Sequence, residues 1–194
     1  MEVELIMKKL RILLMMVLCL AFASTAAFAA SANKALDDVM RLHGQIVSID
    51  DDMITIKDKN SDNTVALIVR WDTEILNGKN GEDVDLNRLH VGDELTAYYS
   101  SISTRSLPPQ SRAYALVMGN GQHDGIYMQV NKVEKVKNGV RILNSNEDMF
   151  VTIPENVEDD AKELKQGDKV LVWYDFVAMS MPGQATATKA VILD

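Results

Sequence analysis

Val91-Gly92-Asp93-Glu94-Leu95-Thr96-Ala97-Tyr98-Tyr99, followed by Ser106-Leu107-Pro108-Pro109-Gln110-Ser111-Arg112-Ala113, has a second version later in the chain. That version is Gln166-Gly167-Asp168-Lys169-Val170-Leu171-Val172-Trp173-Tyr174, followed by Ser180-Met181-Pro182-Gly183-Gln184-Ala185-Thr186-Ala187. Both read as Gly-Asp, a strand ending in two aromatics, a short loop, then S-x-P-x-Q-[SA]-x-A and another strand. The offset is 75 residues at the glycine and 74 at the serine, so the second loop is one residue shorter. A period this long lies outside the range of solenoid repeats and implies a duplicated domain.

Upstream, Gln45-Ile46-Val47-Ser48-Ile49 aligns loosely with Gln129-Val130-Asn131-Lys132-Val133. The two units are therefore 42–119 and 126–194. Residues 120–125, polar and rich in glycine, link them. In the first unit, alternation and β-branched content predict strands over 44–49, 53–57 and 64–69. The stretch 76–85 is polar and contains glycine. A helical turn is predicted over 84–89, with Asp85 as its N-cap, and strands follow over 95–99 and 113–118. The second unit repeats this order over 126–133, 140–144, 149–153, a turn at 160–164, then 170–174 and 186–193. Five strands with a helical turn between the third and fourth is the order of an OB-fold, a small Greek-key barrel. The expected fold is all-β, with two tandem five-stranded OB-like barrels. SH3-like barrels have the same strand count and are the alternative.

Alternation also sorts the paired aromatics. Tyr99 and Tyr174 fall on the face of Leu95, Ala97, Val170 and Val172, which is the expected core. Tyr98 and Trp173 then point outward. Outward aromatics can stack on a sugar, contact a partner, or be buried between the two barrels, and the last is favoured. The repeated S-x-P-x-Q loops lie between the fourth and fifth strands, a connection that borders the ligand face of an OB-fold. Serine and glutamine there can bond a ligand, or they can bond their own loop and hold its shape. The candidate ligand or partner surface is thus Tyr98, Ser106, Pro108, Gln110, Trp173, Ser180, Pro182 and Gln184.

No catalytic motif is present. The three histidines, His43, His90 and His123, are not at metal-ligand spacing to one another. The carboxylate runs Asp50-Asp51-Asp52 and Glu82-Asp83-Val84-Asp85 read as solvated turns. The stretch Asn77 to Asp83 does not match an EF-hand loop, and the second unit lacks both runs. No catalytic residue, cofactor or metal is assigned.

The chain opens with Lys8, Lys9 and Arg11 ahead of an apolar run over 10–22, then small residues and the A-x-A site Ala27-Phe28-Ala29. This predicts a signal peptide over 1–29 and a mature chain beginning at Ala30 or Ser31. Leu18, ahead of Cys19, does not suit a lipoprotein signal. Residues 30–41 form a leader, with a short helix capped by Asn33. Loss of 1–29 removes the single cysteine, three cations and two anions, and moves the net charge from −8 to −9. Thiol chemistry and disulfides are excluded for the mature chain. The acidic balance disfavours nucleic acid and anionic membranes as partners. The mature chain is not expected to insert stably in a membrane.

The pairing of G-D-x-[VL]-x-[VA]-[YW]-Y with S-x-P-P-Q resembles uncharacterised secreted proteins of clostridia and related bacteria with tandem OB-like repeats. Such segments occur alongside the copper amine oxidase N-terminal-like domain of cell-envelope proteins. The resemblance implies architecture and no catalytic residue. The expected function is an exported, non-enzymatic envelope or secreted module that contacts a protein or glycan through the two repeated loops. A structural spacer of the cell surface and a carboxylate-dependent hydrolase are the alternatives.

Overall fold

The computed structural model describes residues 39–122 and 125–193. The signal peptide, residues 30–38 of the leader and His123 lie outside the described residues, and leader residues 39–41 are strand. The chain is all-β, and the OB-like order predicted for each unit is present. No helix among the described residues is long and apolar enough to cross a membrane.

The first unit contains β1 (Val39–Asp50), β2 (Met53–Asp58), β3 (Thr64–Ile68), β4 (Glu74–Asn77), a 3-10 turn at Leu86–Arg88, β5 (Glu94–Ser103) and β6 (Gln110–Met118). Strand β1 pairs with β5 from Val39 to Gln45 and with β2 from Gly44 onward, so one long strand serves both neighbours. Strand β3 then pairs in parallel with β6, through Ala66 with Gln110 and Ile68 with Arg112. This contact closes a five-stranded barrel and removes its open edges. Leu42, Ile46, Ile54, Ile56, Leu67 and Leu95 fill it.

The second unit contains β7 (Ile126–Val136), β8 (Gly139–Asn144), β9 (Met149–Pro154), a 3-10 turn at Asp160–Glu163, β10 (Lys169–Trp173), β11 (Val177–Ala178), β12 (Gly183–Thr186) and β13 (Lys189–Leu193). Its fifth strand is in two pieces. Strand β12 pairs in parallel with β9, and β13 pairs antiparallel with β10. The backbone changes partner between them: Ala187 N donates to Thr152 O at 2.8 Å, and Thr188 N donates to Trp173 O at 2.8 Å. Val130, Ile142, Val151, Ile153, Val170 and Val172 fill this barrel.

Two local expectations need correction. Asp85 stands at the N-cap position, but its side chain makes no capping bond. The stretch read as a polar connection contributes part of β4, whose residues Glu74 to Asn77 add in parallel to Ala115–Met118 of β6. Ile75 and Leu76 are too few to show a period, and pairing with β6 is what makes the segment a strand.

Tyr99 and Tyr174, at equivalent positions, pack against the two barrel cores. Burial pushes both phenols above their ordinary pKa, and Asp58 adds to the shift of Tyr99. A raised folded-state pKa favours the protonated form. The stability it contributes is whole below the unfolded pKa and is lost as pH rises through the folded one. Denaturant melts taken from about pH 9 to 11 should fall in midpoint, around and above the usual phenol pKa. Tyr99→Phe and Tyr174→Phe should flatten that fall, and an unchanged slope in both would refute the assignment.

Candidate functional site

The outer faces of the two barrels meet in a third apolar cluster. Leu76, Tyr98, Tyr114 and Val117 come from the first unit, and Leu171, Trp173, Val191 and Leu193 from the second. Tyr98 is 2% exposed and Trp173 8%. Both aromatics are buried between the barrels, as favoured from the sequence, so the candidate surface is corrected at these two positions: they offer no open stacking face. Tyr98 stacks on Tyr127 with ring centroids 6.0 Å apart. The Trp173 indole N–H donates to Gly78 O at 2.8 Å. A Cβ built on Gly81 or Gly125 would lie 3.1 Å or 2.7 Å from that indole, so glycines form its slot.

The other six candidates sit in the two repeated loops, where the same frame is built twice. Ser106 Oγ donates to Pro108 O at 2.8 Å, and Ser180 Oγ donates to Pro182 O at 2.6 Å. Both prolines follow cis peptide bonds. Gln110 N donates to Thr104 Oγ1, and Gln184 Nε2 donates to Ser180 Oγ. Two residues after the motif proline, Gln110 pairs with Ala66 and Gln184 with Phe150, which is where the fifth strand joins the third. The motif thus serves barrel closure, and its serines are engaged in shaping the loop.

What the frame presents is apolar. Leu107 and Met181, the middle residues of S-x-P, are 98% and 102% exposed. Met179 and Phe176 are exposed beside Met181, and Ile102 is exposed on the strand leading to Leu107. The sequence reading missed these residues by looking for hydrogen-bonding groups, although Leu107 and Met181 occupy the same repeat position. Trp71 was also missed. It is exposed in a turn tied to β6, where Arg112 donates to Asp72 at 2.8 Å and Thr73 Oγ1 donates to Ala113 O at 3.0 Å. The second repeat has the same turn, with Val157 N donating to Pro154 O as Thr73 N donates to Arg70 O, but Glu155 stands there in place of Trp71.

The two tips do not converge. Lys169, at the start of β10, lies 3.9 Å from the ring of Tyr114, midway along β6. Trp173, at the end of β10, reaches Gly78, whose N–H donates to Met118 O at the end of β6. Strands β10 and β6 therefore run in the same sense. One loop precedes β6 and the other follows β10, so they emerge at opposite ends, separated by about 30 Å at the usual strand rise.

Three cavities flank these features. One of about 460 Å³ adjoins the second tip and is lined by Arg141, Phe150, Phe176 and Gln184. One of about 830 Å³ opens on the seam, with Arg41, Lys79 and Lys189 among its walls. One of about 580 Å³ is walled by carboxylates. Among the described residues, no group of three or more His, Cys, Asp or Glu side chains is placed to hold a metal.

No curated protein matches the chain. A Drosophila structure described as Unr CSD456 is similar at 12% identity and a TM-score of 0.26, over 80% of this chain and 63% of that one. A multidomain protein with nucleic acid binding domains from Streptococcus pneumoniae is similar at 16% identity and 0.24, over 76% of this chain and 45% of that one. The single-stranded DNA binding protein of Thermus aquaticus is similar at 15% identity and 0.26, over 79% of this chain and 91% of that one. The chain spans less than two thirds of the first two. Two of these three proteins are described as nucleic-acid binders, and the exclusion of nucleic acid as a partner class, which rested on net charge alone, is withdrawn. Net charge sums over a whole surface, and three cations share one cavity here in a chain of net charge −8. Residues 115–194, the end of β6 and the whole second barrel, match the model of a family described as a protein of unknown function (DUF3221).

Proposed function

We propose that the chain is an exported, non-enzymatic binding module that engages a partner protein through the apolar tips of its two repeated loops. One observation carries the reading: Leu107 and Met181 hold equivalent positions and are both almost wholly exposed on a frame built by the same serine-to-proline bond. An apolar side chain held out in water in both repeats gains nothing for the fold. Seating each in a partner's pocket would contribute about 1.5–3 kcal/mol. The serines and glutamines, spent on the loop, favour an apolar protein contact over a hydrogen-bonded glycan. Export is supported by the charged, apolar and small-residue segments in order over 8–29.

The test uses full-length secreted protein as bait against native envelope extract, beside Leu107→Asp, Met181→Asp and the double variant. Each exposed substitution should leave thermal stability within about 0.5 kcal/mol. Each should weaken capture of the partner by roughly tenfold to a hundredfold. Equal capture by the double variant would refute the loop-tip reading. Retention on isolated envelope polysaccharide, indifferent to both substitutions, would replace the protein partner with a glycan.

A further inference from the structure

The two barrels differ in one respect that the repeat makes visible. In the first, the connection from β3 to the 3-10 turn spans residues 69–85 and lays down β4 beside β6. In the second, the connection from β9 to the equivalent turn is only residues 155–159 and contains no strand. Equivalent pairings with β5 and β10 match Ala115–Met118 to Lys189–Ile192, since Leu95 faces Met118 and Val170 faces Ile192. The edge of β13 that corresponds to the β4-bearing edge of β6 therefore has no strand on it. Strand β13 is the last in its sheet.

The 580 Å³ cavity lies along that strand, with Lys189, Val191 and Ile192 on one wall. Six carboxylates, Glu74, Asp83, Glu158, Asp160, Glu163 and Asp168, line the rest against the single cation Lys189. Asp83, Glu158, Asp160 and Glu163 make no ion pair among the described residues. A bare strand edge offers backbone donors and acceptors to an extended peptide, and flanking side chains select which peptide.

We propose that the β13 edge accepts an extended lysine- or arginine-rich peptide segment of a partner, added in parallel as β4 is added to β6. Backbone pairing to residues 189–192 supplies the register. The carboxylates select cationic side chains, and an acidic segment is repelled. This site is separate from the loop tips, so either can fail without the other.

The experiment titrates full-length protein with a fluorescent eight-residue peptide alternating Lys and Val, read by anisotropy, with amide chemical shifts of residues 189–193 followed by NMR. Saturable binding with shifts confined to that edge and its rim is expected. The triple variant Glu158→Gln/Asp160→Asn/Glu163→Gln should bind about tenfold more weakly, at roughly 0.5 kcal/mol for each lost partly exposed charge pair. The same peptide with alternate backbone nitrogens methylated should not bind, because it cannot pair with a strand. Equal binding by the methylated peptide would overturn strand addition, and equal binding by a Glu/Val peptide would overturn charge selection.

Discussion

Trp173→Ala should cost about 3–5 kcal/mol, the range for emptying a buried aromatic site. The indole is 8% exposed, is clasped by Gly81 and Gly125, and donates from barrel two to Gly78 O of barrel one. Truncation empties the slot and removes the partner of that carbonyl. Because the lost contacts lie in the seam, the single unfolding transition should divide into two, one for each barrel. Calorimetry with denaturant melts measures both effects. Trp173→Phe, which keeps most of the apolar area but no N–H, should lose less and retain one transition. Gly125→Ala should resemble Trp173→Ala, since its Cβ would stand 2.7 Å from the indole at a residue with φ of +70°. A Trp173→Ala protein that melts within about 1 kcal/mol of the parent would show that the seam is not a structural unit.

Gly44→Ala should break the first barrel. Gly44 stands where β1 passes from β5 to β2, facing Leu95 on one side and Asp58 on the other. A Cβ there would lie 2.1 Å from Lys57 O and 3.0 Å from Ile56 Cγ2. The first neighbour is backbone and cannot rotate away, so the β1–β2 ladder must open by more than an ångström. Overpacking of this kind costs about 1–3 kcal/mol, and lost ladder bonds add to it. Hydrogen exchange should show lost protection at Ile54 and Ile56 while Ile142 and Val151 of the second barrel keep theirs. The equivalent residue in the second barrel is Met128, so the glycine is a demand of the first barrel's bend alone. Unchanged protection throughout β2 would refute the steric assignment.

Much of the architecture was legible in the residues alone. The repeated Gly-Asp strand and S-x-P-x-Q segment, with alternation on either side, determined the order of the five barrel strands in each unit and the OB-like plan. These are local signals, because side-chain period and turn chemistry are properties of consecutive residues. The same alternation put Tyr99 and Tyr174 inward and Tyr98 and Trp173 outward. Burial between the barrels was the favoured fate of the outward pair, but the residues they would meet were not legible. Burial of Tyr98 and Trp173 came from a contact between residues about a hundred positions apart, Trp173 with Gly78, and no local pattern encodes such a contact. Strand β4 is similar: four residues with two apolar side chains became a strand only because β6 lay beside them. Of the two readings the loops allowed, the serines follow the one in which they bond their own loop, at the proline carbonyls, and Leu107 and Met181 looked incidental until that frame held them in water. Hydrogen-bond partners and exposure are consequences of assembly, so they were settled by tertiary structure, while strand order was already set by period and turn.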